Sequence, residues 1–184
     1  MMEKHKLGMA LFLASETFFF AVLILAYIAY RGASANGPNA ANSLNVSRAA
    51  IFTAFLLGSS VTLWLAERSM ARERPGGMRL WLLITVVLGA TFLVGQGWEY
   101  LNLLGENVTI NRNLFGSTFF TLTGFHGLHV FSGVVALAIL FGLAMSGWFH
   151  GPHAIALETV GWYWHFVDAV WVVIFTIIYL WPLV

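Results

Sequence analysis

The stretch Phe115-Gly-Ser-Thr-Phe-Phe-Thr-Leu-Thr-Gly-Phe-His126-Gly-Leu-His129-Val-Phe-Ser-Gly-Val-Val-Ala-Leu-Ala-Ile-Leu-Phe-Gly-Leu-Ala-Met145 decides the fold. It carries no Asp, Glu, Lys or Arg, and it exceeds the roughly 20 residues that cross a ~30 Å hydrocarbon core. Within it, His126 and His129 stand three residues apart, framed by Gly124 and Gly127. In a soluble domain that pair would suggest a metal site. In surroundings this apolar it stands on a transmembrane helix, and the question becomes what two imidazoles do inside a membrane.

Working outward, four more apolar segments of similar length appear, at residues 7–30, 46–70, 80–104 and 154–181. The chain is 59% hydrophobic and 9% charged, whereas an ordinary soluble domain is about 45–50% apolar and about 25% charged. The sequence therefore predicts an all-α integral membrane protein, a single domain over residues 1–184 built as a bundle of five transmembrane helices, 115–145 being the fourth. The connections are Gly32–Asn45 with Pro38, Ala71–Arg79 with Pro75-Gly76-Gly77, Gly105–Asn113, and Ser146–His153 with Gly151-Pro152. None is long enough to separate two cores. Lys4 and Lys6 before an apolar run, with Ala33-Ser34-Ala35 after it, imitate a signal peptide. That run is too long for an h-region of about 7–15 residues and is expected to be a retained helix.

Counting Lys and Arg gives an orientation. Lys4, Lys6, Arg68, Arg72, Arg74 and Arg79 fall on one side, and Arg31, Arg48 and Arg112 on the other. The positive-inside rule then predicts a cytoplasmic N-terminus and a C-terminus on the outer side. A net charge of +1 leaves no basic face for nucleic acid. With no cysteine there is no disulfide framework, no thiolate metal site and no c-type haem attachment.

The second segment places a small residue at every fourth position, Ala50, Ala54, Gly58, Thr62 and Ala66. Such a stripe is expected to be a helix contact face, because packing drives association in lipid. Gly124 and Gly127 are likewise expected to admit a neighbouring helix. The dense rings Trp162-Tyr163-Trp164-His165-Phe166 and Trp171 are expected to pack against another helix or subunit, with indole N–H groups satisfied across the contact.

Inside the apolar segments lie Glu16, Glu99, His126, His129, Glu158, His165 and Asp168. Groups of this kind cost about 2.5–3.5 kcal/mol each at a helix centre and should face inward with partners. At ~1.5 Å of rise per residue, Glu16, His126 and His165 share the middle of the bundle. Glu158, His165 and Asp168 occupy one face of the last helix, and His126 and His129 one face of the fourth. An interhelical polar seam of Glu99, His126, His129, Glu158, His165 and Asp168 is therefore expected, chiefly between these two helices. Three readings of it stand: hydrogen-bonded pins between helices, a metal centre of His and carboxylate ligands, or a proton relay. The metal reading lacks a Glu-x-x-His or His-x-x-x-His pattern. Glu16, set among Phe18, Phe19 and Phe20, is a buried carboxyl suited to donating a hydrogen bond, taking up a proton slowly, or reacting with lipid-soluble carboxyl reagents.

Four stretches, in order, resemble a known family: Ser15-Glu16-Thr17-Phe18-Phe19-Phe20, Trp98-Glu99-Tyr100, Gly116 to Val130, and Trp162-Tyr-Trp-His-Phe-Val-Asp168 followed by Val170-Trp171. They look like the distinctive motifs of subunit III of the haem-copper oxidases, cytochrome c oxidase above all. The resemblance implies a non-redox subunit of a hetero-oligomeric respiratory oxidase in a bacterial cytoplasmic membrane, taking part in a proton-translocating, oxygen-reducing complex without an active centre of its own. It implies no catalytic, cofactor or metal residues in this chain, with haem and copper held by partner subunits. Subunit I would be the main contact and subunit II part of the same complex. Structural phospholipids would be bound, proton uptake supported, and Glu16 would occupy the carbodiimide-reactive position without being required for pumping. The electron donor, cytochrome c or a quinol, is left open, as is a nitric oxide reductase-associated relative. So, more remotely, is an independent proton channel. Longer members have seven helices, the first two forming one arm of a lipid-holding cleft; the present chain resembles the five-helix form that begins at their third.

Overall fold

The computed structural model describes residues 4–30, 40–111, 114–147 and 154–183. Arg31, Pro38, Arg112 and Gly151-Pro152, in the connections, lie outside the described residues. Five long helices follow one another: α1 (Lys4–Tyr30), α3 (Val46–Ala71), α4 (Pro75–Gly105), α5 (Leu114–Met145) and α6 (Ala154–Phe175), with the one-turn α2 (Ala40–Ser43) before α3. Each is long and apolar enough to cross a membrane, and no strand occurs among the described residues.

The boundaries have local causes. Asn45 caps α3, its side chain accepting the Arg48 backbone N–H at 2.9 Å. The α3–α4 turn is tighter than the sequence suggests, because Pro75 sits in the first turn of α4 instead of in a loop, where its missing N–H costs nothing. Glu73 takes the left-handed φ of 55° that reverses the chain. After Phe175 the last helix widens into a π turn over Thr176–Leu180, closed by the Trp181 N–H on the Thr176 carbonyl. The wider turn brings both Ile178 and Tyr179 into the interior.

Helices α3 and α4 form a long antiparallel hairpin, α5 packs beside α4, and α6 lies in the groove between α3 and α5. Helix α1 leans chiefly on α5 and α6 and, among the described residues, buries Phe20 and Tyr27. In lipid, such packing is held by close van der Waals contact and hydrogen bonds, since the surrounding acyl chains are as apolar as the core. Trp164 shows how the contact is made. Its indole lies fully buried between two glycines; a Cβ on Gly89 of α4, or on Gly133 of α5, would stand 2.7 Å from its ring. Gly95 admits the Phe52 ring, and Gly161 admits the Glu67 carboxylate, in the same way.

These close approaches replace two expected ones. Nothing lies within 4 Å of a Cβ built on Gly127, and Gly124 meets only the Tyr100 hydroxyl at 3.8 Å. The stripe on α3 is split as well: Ala66 is buried, Gly58 and Thr62 are half-buried, with Gly58 near Leu88 of α4 and Thr62 bonded to Thr85, and Ala50 and Ala54 are exposed. The buried face of α3 runs one position away, through Ala49, Thr53, Leu56, Ser59 and Leu63. The reason is polar: Trp171 Nε1 donates to Thr53 Oγ1 and Trp164 Nε1 to Ser59 Oγ, each at 2.9 Å. Two indole donors on α6 thus fix the rotation of α3.

The exposed surface is largely apolar, with Leu11, Phe18, Val22, Leu25, Val94 and Leu101 facing outward. Hydroxyls on the same surface are turned back onto their own helices. Thr17 donates to the Leu13 carbonyl, Thr91 to Val87, Ser132 to Leu128 and Thr176 to Val172, all at 2.7–2.9 Å. Satisfying each hydroxyl within its own helix removes the cost of a polar group facing hydrocarbon.

Candidate functional site: the polar contacts inside the bundle

The six seam residues and Glu16 do not meet as one line. They divide among four places, because α6 reaches α3 and α1 as well as α5.

The first place joins α1 to α5. His129 Nε2 lies 3.0 Å from Glu16 Oε2, the two side chains being 15% and 19% exposed. His129 Nδ1 lies 2.7 Å from the Phe125 carbonyl oxygen. A carbonyl only accepts, so Nδ1 carries a hydrogen. Nε2 then either accepts from a protonated Glu16 or donates, as imidazolium, to a carboxylate; in both states the pair is neutral as a whole. Phe20 packs its ring at 5.0 Å and Tyr163 at 6.5 Å, and the Tyr163 hydroxyl donates to the His129 carbonyl at 2.9 Å. Three helices are pinned here.

The second place is on the other side of α5. His126 is fully buried, stacked on Trp171 at 4.8 Å and met edge-on by Phe20 and Phe92. It touches neither Glu16 nor His165 by a hydrogen bond; both ring nitrogens lack a partner among the described residues. Three residues of spacing on a helix separate directions by about 60° from perfect overlap, enough to send His129 toward α1 and His126 into the aromatic interior. As a result the two histidines do not converge on one point, and among the described residues no three His, Cys, Asp or Glu side chains gather as a ligand set.

The third place ties α3 to α6. Ser60 Oγ is 2.9 Å from His165 Nδ1 and donates a short hydrogen bond to Asp168 Oδ2. Ser60 was not legible as a partner, since it lies two positions from the nearest members of the small-residue stripe, Gly58 and Thr62. The fourth comprises the two ends of the bundle. At one end Lys6 donates to Glu158 at 2.8 Å, and Glu67 lies against Gly161. Lys6 entered the sequence argument as an orientation charge and as part of the signal-peptide resemblance, not as a partner, and Glu67 not at all; the glycine opposite it was the available signal. At the other end the Tyr179 hydroxyl donates to Glu99 at 2.5 Å. Arg48, whose guanidinium lies 5.5 Å from the Trp98 ring centroid, lines with Glu99, Asn45, Asn102 and Glu106 a cavity of about 550 Å³.

Fold and site together define a class: a polytopic helical membrane protein in which polar groups of the apolar segments, His126 excepted, bond across from one helix to another. Comparison with known proteins narrows it. The family described as cytochrome c oxidase subunit III matches residues 1–183. A protein of Mycobacterium leprae named probable cytochrome c oxidase subunit 3 is 38% identical over 94% of this chain and 85% of its own. The cytochrome c oxidase subunit 3 of Corynebacterium diphtheriae is 39% identical with the same coverage, and that of Lemur catta is 38% identical over 95% of this chain and 65% of its own. The chain belongs to the cytochrome c oxidase subunit III family, and so to the multisubunit haem-copper oxidases.

Proposed function

We propose that this chain is a non-redox core subunit of a respiratory haem-copper terminal oxidase that reduces oxygen with electrons from cytochrome c. In this reading it sits in a bacterial cytoplasmic membrane with its N-terminus inside. It braces subunit I beside subunit II, holds phospholipid against its apolar flanks, and supports proton uptake during turnover; haem and copper belong to the partner subunits. The observation that carries the reading is the subunit III match over residues 1–183. The interhelical contacts suit a bracing role: Glu16 bonds His129, Ser60 bonds both His165 and Asp168, Tyr179 bonds Glu99 and Lys6 bonds Glu158, each from one helical segment to another.

Affinity purification of the oxidase through a tag on this chain tests the reading. Mass spectrometry is expected to identify subunits I and II in equimolar amounts, with oxygen consumption supported by reduced cytochrome c. Recovery of the chain without a haem-copper subunit from gently solubilised membranes would overturn it.

A further inference from the structure

The contact among Ser60, His165 and Asp168 contains more than a fastening. Asp168 is 4% exposed, and its second oxygen, Oδ1, has no hydrogen-bond partner among the described residues. His165 is half-buried, on the flank of α6 that also carries exposed Ala169 and Val172. Ser60 Oγ is the atom between them, in contact with His165 Nδ1 and Asp168 Oδ2 at once. A hydroxyl has one hydrogen and two lone pairs. It therefore donates to one neighbour and must accept from the other, and the two arrangements differ only in where a proton resides.

We propose that Ser60, His165 and Asp168 form one proton-binding site, in which the Ser60 hydroxyl passes a proton between the Asp168 carboxyl and the His165 imidazole. In one direction Asp168 Oδ2–H gives its proton to Ser60 Oγ while Ser60 gives its own to His165 Nδ1, leaving carboxylate and imidazolium. In the other, both protons return, leaving carboxylic acid and neutral imidazole. One proton moves at each bond, no other bond changes, and the site stays neutral as a whole, the state that apolar surroundings favour over a net charge. Loss of the proton leaves one negative charge between α3 and α6. Among the described residues, other titratable groups on the helices packed about α6 are engaged elsewhere: His129 with Glu16, Glu158 with Lys6, Glu99 with Tyr179, Tyr163 with the His129 carbonyl, Tyr100 with Thr123, Arg79 with the Ala144 carbonyl, and Arg48 and Arg68 over the rings of Trp98 and Trp64. Glu67 lies two turns along α3 against Gly161, and His126 stacks on Trp171.

Asp168 is the only aspartate in the chain, so aspartate labelled with 13C at its side-chain carboxyl marks this site alone. The full chain, also carrying 15N-labelled histidine, is titrated in phospholipid bilayers by solid-state NMR, with His165 assigned by its loss in His165→Gln. The Asp168 carboxyl and His165 Nδ1 are expected to shift together at one midpoint. Ser60→Ala is expected to part them into two midpoints about one pH unit or more apart, and Ser60→Thr, which keeps the hydroxyl, to restore one. Asp168→Asn is expected to displace the His165 step by about as much, which reads the coupling even if the alanine variant does not fold. Separate midpoints in the wild type, or a His165 step unmoved by both Ser60→Ala and Asp168→Asn, would overturn the proposal.

Discussion

The pair Glu16–His129 shows what a polar residue accomplishes at membrane depth. Because Nδ1 of His129 is committed to the Phe125 carbonyl, its other nitrogen has one orientation, and Glu16 is the group it meets. The link ties α1, the helix with the least buried surface of its own, to α5. Replacing His129 by leucine strands a carboxyl among phenylalanines, whereas replacing both residues by leucine removes the cost together with the bond. A double-mutant cycle of Glu16→Leu and His129→Leu, read by unfolding in detergent micelles, is expected to give a coupling of about 1 kcal/mol, with the double variant more stable than His129→Leu alone. A coupling near zero would mean that the contact does not hold α1. The sequence identified both residues as intramembrane polar groups but not as partners. It paired His126 and His129 by spacing, whereas the fold sends one to a carboxyl and the other to Trp171.

At the scale of helices, the expected five-helix class is observed, with five helices long and apolar enough to cross a membrane, because length and hydropathy are properties of a segment alone. Rotation about each axis is not. These helices are apolar on all sides, so no hydrophobic face reveals which way a helix turns; only contacts with neighbours decide, as Trp164 and Trp171 do for α3. The same limit explains the glycines. Gly124 and Gly127 beside two histidines looked like contact points, yet Gly133 and Gly89 are the ones against which Trp164 lies. Gly133→Ala is expected to force that indole aside and destabilise the bundle by about 1–3 kcal/mol. Gly127→Ala, with nothing within 4 Å, is expected to be neutral or stabilising by up to ~1 kcal/mol, since alanine is the better helix former. Thermal unfolding of the two variants side by side checks this, and equal effects would contradict the packing described.

For the whole molecule, the proposed orientation and the proposed non-redox role are each open to measurement. With no native cysteine, single cysteines report sidedness cleanly. Arg72→Cys is expected to react with a membrane-impermeant thiol reagent only from the cytoplasmic side, and Asn107→Cys only from outside. In the proposed function, the histidines and carboxylates of the apolar segments fasten helices and hold protons, while electrons pass through partner subunits. Measuring haem, copper and iron in the chain after it is separated from its purified complex tests this division of roles. The separated chain is expected to hold none of the three in stoichiometric amount, with haem and copper recovered in the remaining subunits. Stoichiometric retention of any of them by the separated chain would contradict it.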